Sequence, residues 1–160
     1  CSFDNPKVNV LITDGVKYVK SQKNKYDVVI IDSTDPEPMG PAVQLYSSDF
    51  YQSVYRCLND DGLFVAHTDS PCFSFGSDNF RDIWHRINAY FPLTKAYITC
   101  VPSYISGYWS FTLGSKRYDP IRDYRHDTSI KTRFYTSELH RACFVLPRFM
   151  QELIAEKPKE

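Results

Sequence analysis

The stretch from Tyr26 to Pro41, YDVVIIDSTDPEPMGP, constrains the fold of this chain more than any other. Its first half is a run of β-branched residues, too apolar and too short for a surface helix, and it reads as a buried strand of a parallel sheet. Its second half releases two carboxylates, Asp32 and Asp35, where that strand ends. In open α/β sheets ligands bind outside this carboxyl edge. The rest of the chain is therefore read for what it brings to that edge.

Upstream, VNVLIT (8–13) predicts a short strand, Asp14-Gly15 a turn, and 16–22 a short helix with Val16 and Val19 inward. Strand, helix and strand in so few residues make a βαβ unit, and its first sheet pairing is expected to be parallel. Downstream, Ser47 or Ser48 can cap a helix through Phe50, Val54, Tyr55 and Leu58 that Asp61-Gly62 closes, before the strand LFVA (63–66). Ser77 or Asp78 can cap a helix whose stripe Phe80, Ile83, Trp84, Ile87 and Phe91 is core rather than a cofactor box. Two strands, 95–101 and 108–114, flank PSYISG, a short connection or hairpin. A polar loop covers 115–131, Ser137 is a candidate cap, and a short helix follows Pro147. The order is α/β with an antiparallel pair near the end, without repeats, and nothing marks a second domain within 1–160.

Length and charge exclude several classes. At 160 residues the chain is one domain able to bury a sizeable core. Nineteen basic residues balance nineteen acidic ones, so electrostatics suggests neither nucleic acid nor a membrane surface as partner. No stretch is apolar for the roughly 18 residues a membrane helix needs. Five cysteines, odd in number and never spaced C-x-x-C, argue against a disulfide framework and a zinc site, and no metal is expected. Reduced thiols in a cytoplasmic protein fit them.

Asp32 and Asp35 carry the chemistry. Strand-end aspartates also serve simply as loop caps, but two carboxylates three residues apart beside rigid, Pro-rich chain favour a cationic ligand and can divide charge recognition from proton abstraction. Asp14-Gly15 is as readable as a bare turn, although it leaves its strand at the same edge. Tyr104 lies in the connection between two strands and says little by itself.

Taken in order, DG after a strand, YDVVIIDSTDP with GP, FVAHTDSP, PSYISG and RFYTSELHRACFVLP resemble the carboxyl-terminal two thirds of spermidine synthase and related polyamine aminopropyltransferases. The resemblance implies a Rossmann-type, methyltransferase-like fold whose sheet is mostly parallel with an antiparallel pair near the end. It implies aminopropyl transfer from decarboxylated S-adenosylmethionine, a co-substrate rather than a cofactor, to putrescine, giving spermidine and 5′-methylthioadenosine. It makes Asp32 the proton acceptor and places Asp35 and Tyr104 on the diamine. It places Asp14, Gly15 and Pro41 on the nucleoside. An alkylammonium with a pKa of about 10.4 has no free lone pair at neutral pH, so a base is needed; surroundings that lower the amine's pKa and raise the carboxyl's would let Asp32 serve. The leaving thioether is neutral, so neither a general acid nor a metal is called for.

Three departures from the family pattern bear on this. DPEPMGP is two residues longer than the family's DPxGP, which puts the position of Pro41 in question. His67 stands where relatives commonly have Gln; neutral it can bond the amine, protonated it repels it, and on residue type alone it is equally a satisfied polar group. The family's amino-terminal β domain, Gly-rich nucleoside loop and first two sheet strands have no counterpart here, and no G-x-G pattern occurs. The sheet is thus expected to be incomplete at its amino-terminal side, leaving VNVLIT without its neighbour or paired differently. Activity is expected only on completion by that part, within a homodimer or with a complementing amino-terminal chain. A catalytically silent subunit that keeps the fold is the alternative, and a methyltransferase using intact S-adenosylmethionine leaves the diamine-binding residues unexplained.

Overall fold

The computed structural model describes residues 2–36, 39–40, 42–104, 106–125 and 129–158. In chain order it contains α1 (Gly15–Lys20), β1 (Tyr26–Ile31), a 3-10 turn (Val43–Tyr46), α2 (Ser48–Cys57), β2 (Leu58–His67) and α3 (Ser74–Asn88). β3 (Leu93–Cys100), β4 (Tyr108–Ser115), α4 (Ser137–Ala142) and α5 (Arg148–Ala155) follow. The strands make one sheet in the order β1-β2-β4-β3, with β1 and β2 parallel and the other two pairings antiparallel. The expected α/β order and terminal antiparallel pair are present. The sheet is mixed rather than mostly parallel, because residues 8–13 form no strand.

That difference has a physical cause. A strand exists only through its partner, and Val8, Val10, Leu11 and Ile12 are all exposed, Ile12 at 97%. The parallel pairing expected between 8–13 and β1 is therefore absent, and β1 finds its one partner in β2.

Helices form where local chemistry specifies them. Ser47 Oγ accepts from Phe50 N at 3.2 Å and caps α2, whose Phe50, Tyr51, Val54 and Cys57 are buried along one face. α2 ends at Cys57, earlier than Asp61-Gly62, and the chain enters β2 directly. There the pairing skips from Tyr26↔Leu58 to Val28↔Leu63, so 59–62 bulges out of the ladder. A Cβ on Gly62 would stand 2.8 Å from that of Leu58, so the bulge needs glycine. α3 begins at Ser74, before the Ser77 or Asp78 expected from sequence, and Asp78 instead pairs with Arg81 at 2.9 Å. Thr136, one residue before Ser137, caps α4.

The main core lies between α2, α3 and the inner face of β1 and β2. Phe50, Tyr51, Val54, Phe64, Ile83, Ile87 and Phe91 are buried there, with Val16, Val19, Val29 and Ile31 packed against them. Each large side chain so buried contributes about 1.5–3 kcal/mol. Phe80, Ala96 and Met150 make a second cluster with Trp84, which confirms the Trp-containing stripe as core. Among the described residues no helix is long and apolar enough to cross a membrane. This frame fixes the carboxyl ends of β1 and β2 side by side, with β4 beside β2.

Candidate active site

A cavity of about 1200 Å³ opens at that edge, and four chain segments line it. The end of β1 supplies Asp32, Thr34 and Asp35, the end of β2 supplies His67, Asp69 and Ser70, the β3–β4 connection supplies Tyr104, and β4 supplies Trp109. Three carboxylates and an imidazole thus share the cavity with the rings of Tyr104 and Trp109, and Phe73 also lines it. The rings meet edge-on, with the Tyr104 and Trp109 centroids 4.5 Å apart, and the imidazole of His67 lies nearly parallel to the Trp109 indole at 6.0 Å. Such a space suits a short cationic chain with apolar methylenes between its charges.

The supports of these groups are specific. Asp69 is buried and holds φ at +70°, the left-handed region. Its Oδ1 accepts from Ser70 N at 2.6 Å and its Oδ2 from Asn79 Nδ2 at 2.9 Å. Its carbonyl accepts from both Ser110 N and Ser110 Oγ, which locks the end of β2 to β4. Ser70 Oγ donates to Ser106 Oγ, and that hydroxyl donates to the Tyr108 carbonyl. Hydroxyl groups therefore tie the loop after β2 to the connection that carries Tyr104.

His67 is held from the other side. Tyr46 Oη donates to the Thr34 carbonyl at 3.1 Å and lies 2.5 Å from His67 Nε2. His67 Nδ1 faces Asp35 Oδ1 at 3.8 Å and is buried without a hydrogen-bond partner. Burial pushes the Tyr46 phenol far above its ordinary range, and the negative charges of Asp35, Asp69 and Asp32 push it further. Tyr46 is consequently a neutral phenol with one proton to donate.

The residues singled out from sequence divide into three groups. Asp32, Asp35, His67 and Tyr104 meet at the cavity. Asp32 is exposed, so the burial expected around this base is not provided by the chain itself. Asp14 and Gly15 do not line the cavity: Asp14 Oδ1 caps α1 by accepting from Lys17 N at 3.1 Å, and a Cβ on Gly15 would lie against Leu45. That backbone hydrogen bond, with the Lys17 charge, holds the Asp14 carboxyl below its ordinary range. The Asp14-Gly15 turn is thus occupied as a helix start. Pro41 lies outside the described residues. Asp69 and Trp109 were missed by sequence reasoning, although Asp69 follows a strand end just as Asp32 does.

Comparison with known proteins identifies the family. The family model described as a spermine/spermidine synthase domain matches residues 1–123. The polyamine aminopropyltransferase of Caldicellulosiruptor saccharolyticus is 50% identical over 155 residues, which cover 96% of this chain and 54% of that protein. That of Moorella thermoacetica is 46% identical over 161 residues, covering 100% and 55%. The chain spans about half the length of these curated relatives. Among solved structures, a spermidine synthase in complex with the transition-state analogue AdoDATO superposes with a TM-score of 0.90 at 38% identity, covering 97% of this chain and 53% of that one. Spermidine synthase from Thermotoga maritima gives 0.87 at 37% identity, covering 97% and 52%. The α/β architecture is therefore the methyltransferase-like one, and the chain belongs to the spermine/spermidine synthase family.

Proposed function

We propose that this chain carries the amine-binding half of an aminopropyl transfer from decarboxylated S-adenosylmethionine to putrescine, yielding spermidine and 5′-methylthioadenosine. The observation that supports it most is the convergence of Asp32, Asp35 and Asp69 with the Tyr104–Trp109 aromatic pair in one cavity. Carboxylates match the ammonium ends of a diamine, and the rings match its methylenes. The names of the relatives support aminopropyl transfer in general.

In the reaction Asp35 anchors one ammonium and Tyr104 lies against the carbon chain. Asp32 accepts a proton from the other nitrogen. The freed lone pair attacks the aminopropyl carbon next to the sulfonium, a C–N bond forms, the C–S bond breaks, and its electron pair stays on sulfur in a neutral thioether. Asp32 is exposed here, so a bound donor and amine must exclude water for the proton transfer to run downhill. Alignment of nitrogen, carbon and sulfur supplies most of the acceleration. Asp14, Gly15 and Pro41 remain nucleoside-side proposals, with Asp14 reaching a ligand only beyond its capping bond.

An assay with putrescine and the decarboxylated donor, run with and without an amino-terminal segment taken from a relative, tests this. Methylthioadenosine is expected when the segment is present, and Asp32→Asn should lower turnover by about 10²–10⁴-fold. Unchanged turnover in that variant would refute the base assignment. A preference for intact over decarboxylated donor would sink aminopropyl transfer altogether.

A second reading has an observation of its own. Val28 and Ile30 of β1 are exposed at 51% and 67%, and the apolar stretch 8–13 forms no strand. Such an edge suits association with a complementing chain or a second copy, and in a silent subunit association is the whole role. Absence of methylthioadenosine in the completed assay, together with tight binding of the added segment, favours it.

A further inference from the structure

Two walls of the cavity come from distant parts of the chain. The segment after β2 carries Asp69 and Ser70, and the β3–β4 connection carries Tyr104 and Ser106. At about 1200 Å³ the space is far larger than a four-carbon diamine, so volume by itself does not measure the length of an amine. Length is read only between groups held at a fixed separation.

Each wall is held from within. The Asp69 carboxylate accepts from Ser70 N at 2.6 Å and from Asn79 Nδ2 at 2.9 Å. In the connection, Val101 N donates to the Gly107 carbonyl at 2.8 Å, and Tyr104 N to the Val101 carbonyl and Gly107 N to the Tyr104 carbonyl at 2.9 Å. Gly107 takes φ of +68°, and the Tyr104 ring rests edge-on against Trp109.

The β2–β4 ladder joins the walls at their base, and Ser70 and Ser106, which both line the cavity, join them a second time. The direction of that tie is set by its end. The Tyr108 carbonyl can only accept, so Ser106 Oγ gives its one proton there, at 2.8 Å. Ser106 Oγ is then the acceptor for Ser70 Oγ, which donates to it at 2.8 Å. Ser70 Oγ in turn accepts from Cys72 N at 3.4 Å. Ser70 is buried, and its hydroxyl is engaged in both directions.

We infer that Ser70 is a positioning residue for the amine: through Ser106 it fixes the separation between the Asp69 carboxylate and the Tyr104 ring, and that separation sets which length of diamine is preferred. This rests on the diamine reading of the site and adds to it the part that measures the chain. Without the Ser70 hydroxyl, the connection keeps its own backbone bonds and its contact with Trp109 but loses its tie to Asp69's segment. The cavity then tolerates other lengths, while the two core clusters, to which Ser70 does not belong, are unchanged.

Titration of the chain with 1,3-diaminopropane, putrescine and 1,5-diaminopentane, read from the Trp109 indole N–H, tests this. Trp84, packed on the second core cluster, supplies an indole that reports the fold alone. Putrescine is expected to bind the parent chain most tightly. Ser70→Ala and Ser106→Ala should each reduce that preference by about fivefold, the loss expected from one hydroxyl bond. The double substitution should also read about fivefold rather than about 25-fold, because both changes remove the same bond. If Ser70→Ala displaces the Trp84 resonance too, Ser106→Ala, at a half-buried position, carries the test. A parent chain without preference, or variants that weaken all three diamines equally, overturn the positioning role and leave the diamine reading standing. Effects that multiply in the double variant overturn it as well, since each hydroxyl then acts on the amine by itself. If Trp109 of the parent chain responds to none of the three, the diamine reading fails and the inference fails with it.

Discussion

At Asp69 the backbone and the side chain pull in different directions. The φ of +70° disfavours any residue with a Cβ, by about 1–2 kcal/mol, yet the carboxylate makes bonds that a smaller residue lacks. Replacing Asp69 by Ala keeps the strain and orphans Ser70 N and Asn79, whereas Gly orphans the same groups and removes the strain. Asp69→Ala is therefore expected to be less stable than Asp69→Gly by about 1 kcal/mol in urea unfolding. Equal stabilities would mean that the conformation is not strained. Asp69 was legible in principle, because the rule that singles out Asp32, an acid where a parallel strand ends, applies equally to FVAHTDSP. Trp109 was not. Alternation along YWSFTLGS gives β4 two faces, but only the strand order puts β4 next to β2 and the indole over His67.

Among the elements, β4 is one of the two inner strands of the sheet, paired to β2 on one side and β3 on the other. Over it sits the Phe91 ring, stacked on Phe64 at 5.7 Å and met edge-on by Tyr55 at 5.3 Å. A Cβ on Gly114 would lie 2.6 Å from Cγ of that ring, which is pinned by both neighbours and cannot swing away. Gly114→Ala should thus cost about 1–3 kcal/mol through overpacking, read as a lower denaturation midpoint at unchanged slope. A midpoint equal to that of the parent chain would show that Phe91 has room to yield. The helices around this sheet were legible because their signals are local: Ser47 caps α2, and the stripe through Ile83 and Ile87 faces the core. Residues 8–13 carry an equally good local signal and form no strand, since pairing is decided by a neighbour that no local pattern supplies.

For the molecule as a whole, the uncovered side of β1 decides how copies behave in solution. Val28 and Ile30 project from a strand that has one sheet neighbour, and the formal net charge of zero offers no repulsion to keep copies apart. Self-association through this edge is the expected outcome at high protein concentration. The double substitution Val28→Lys and Ile30→Lys places two charges on the patch without entering the core, where Val29 and Ile31 pack. Surface changes of this kind alter stability by within about 0.5 kcal/mol each. Sedimentation velocity across a concentration series should therefore show the parent chain shifting to larger species while the doubly substituted chain stays monomeric, with nearly the same urea midpoint. If both sediment alike, the association contact lies elsewhere on the surface. If the substituted chain loses stability by several kcal/mol instead, then Val28 and Ile30 are sheltered in solution by the stretch 8–13, and that stretch is the segment which covers the edge.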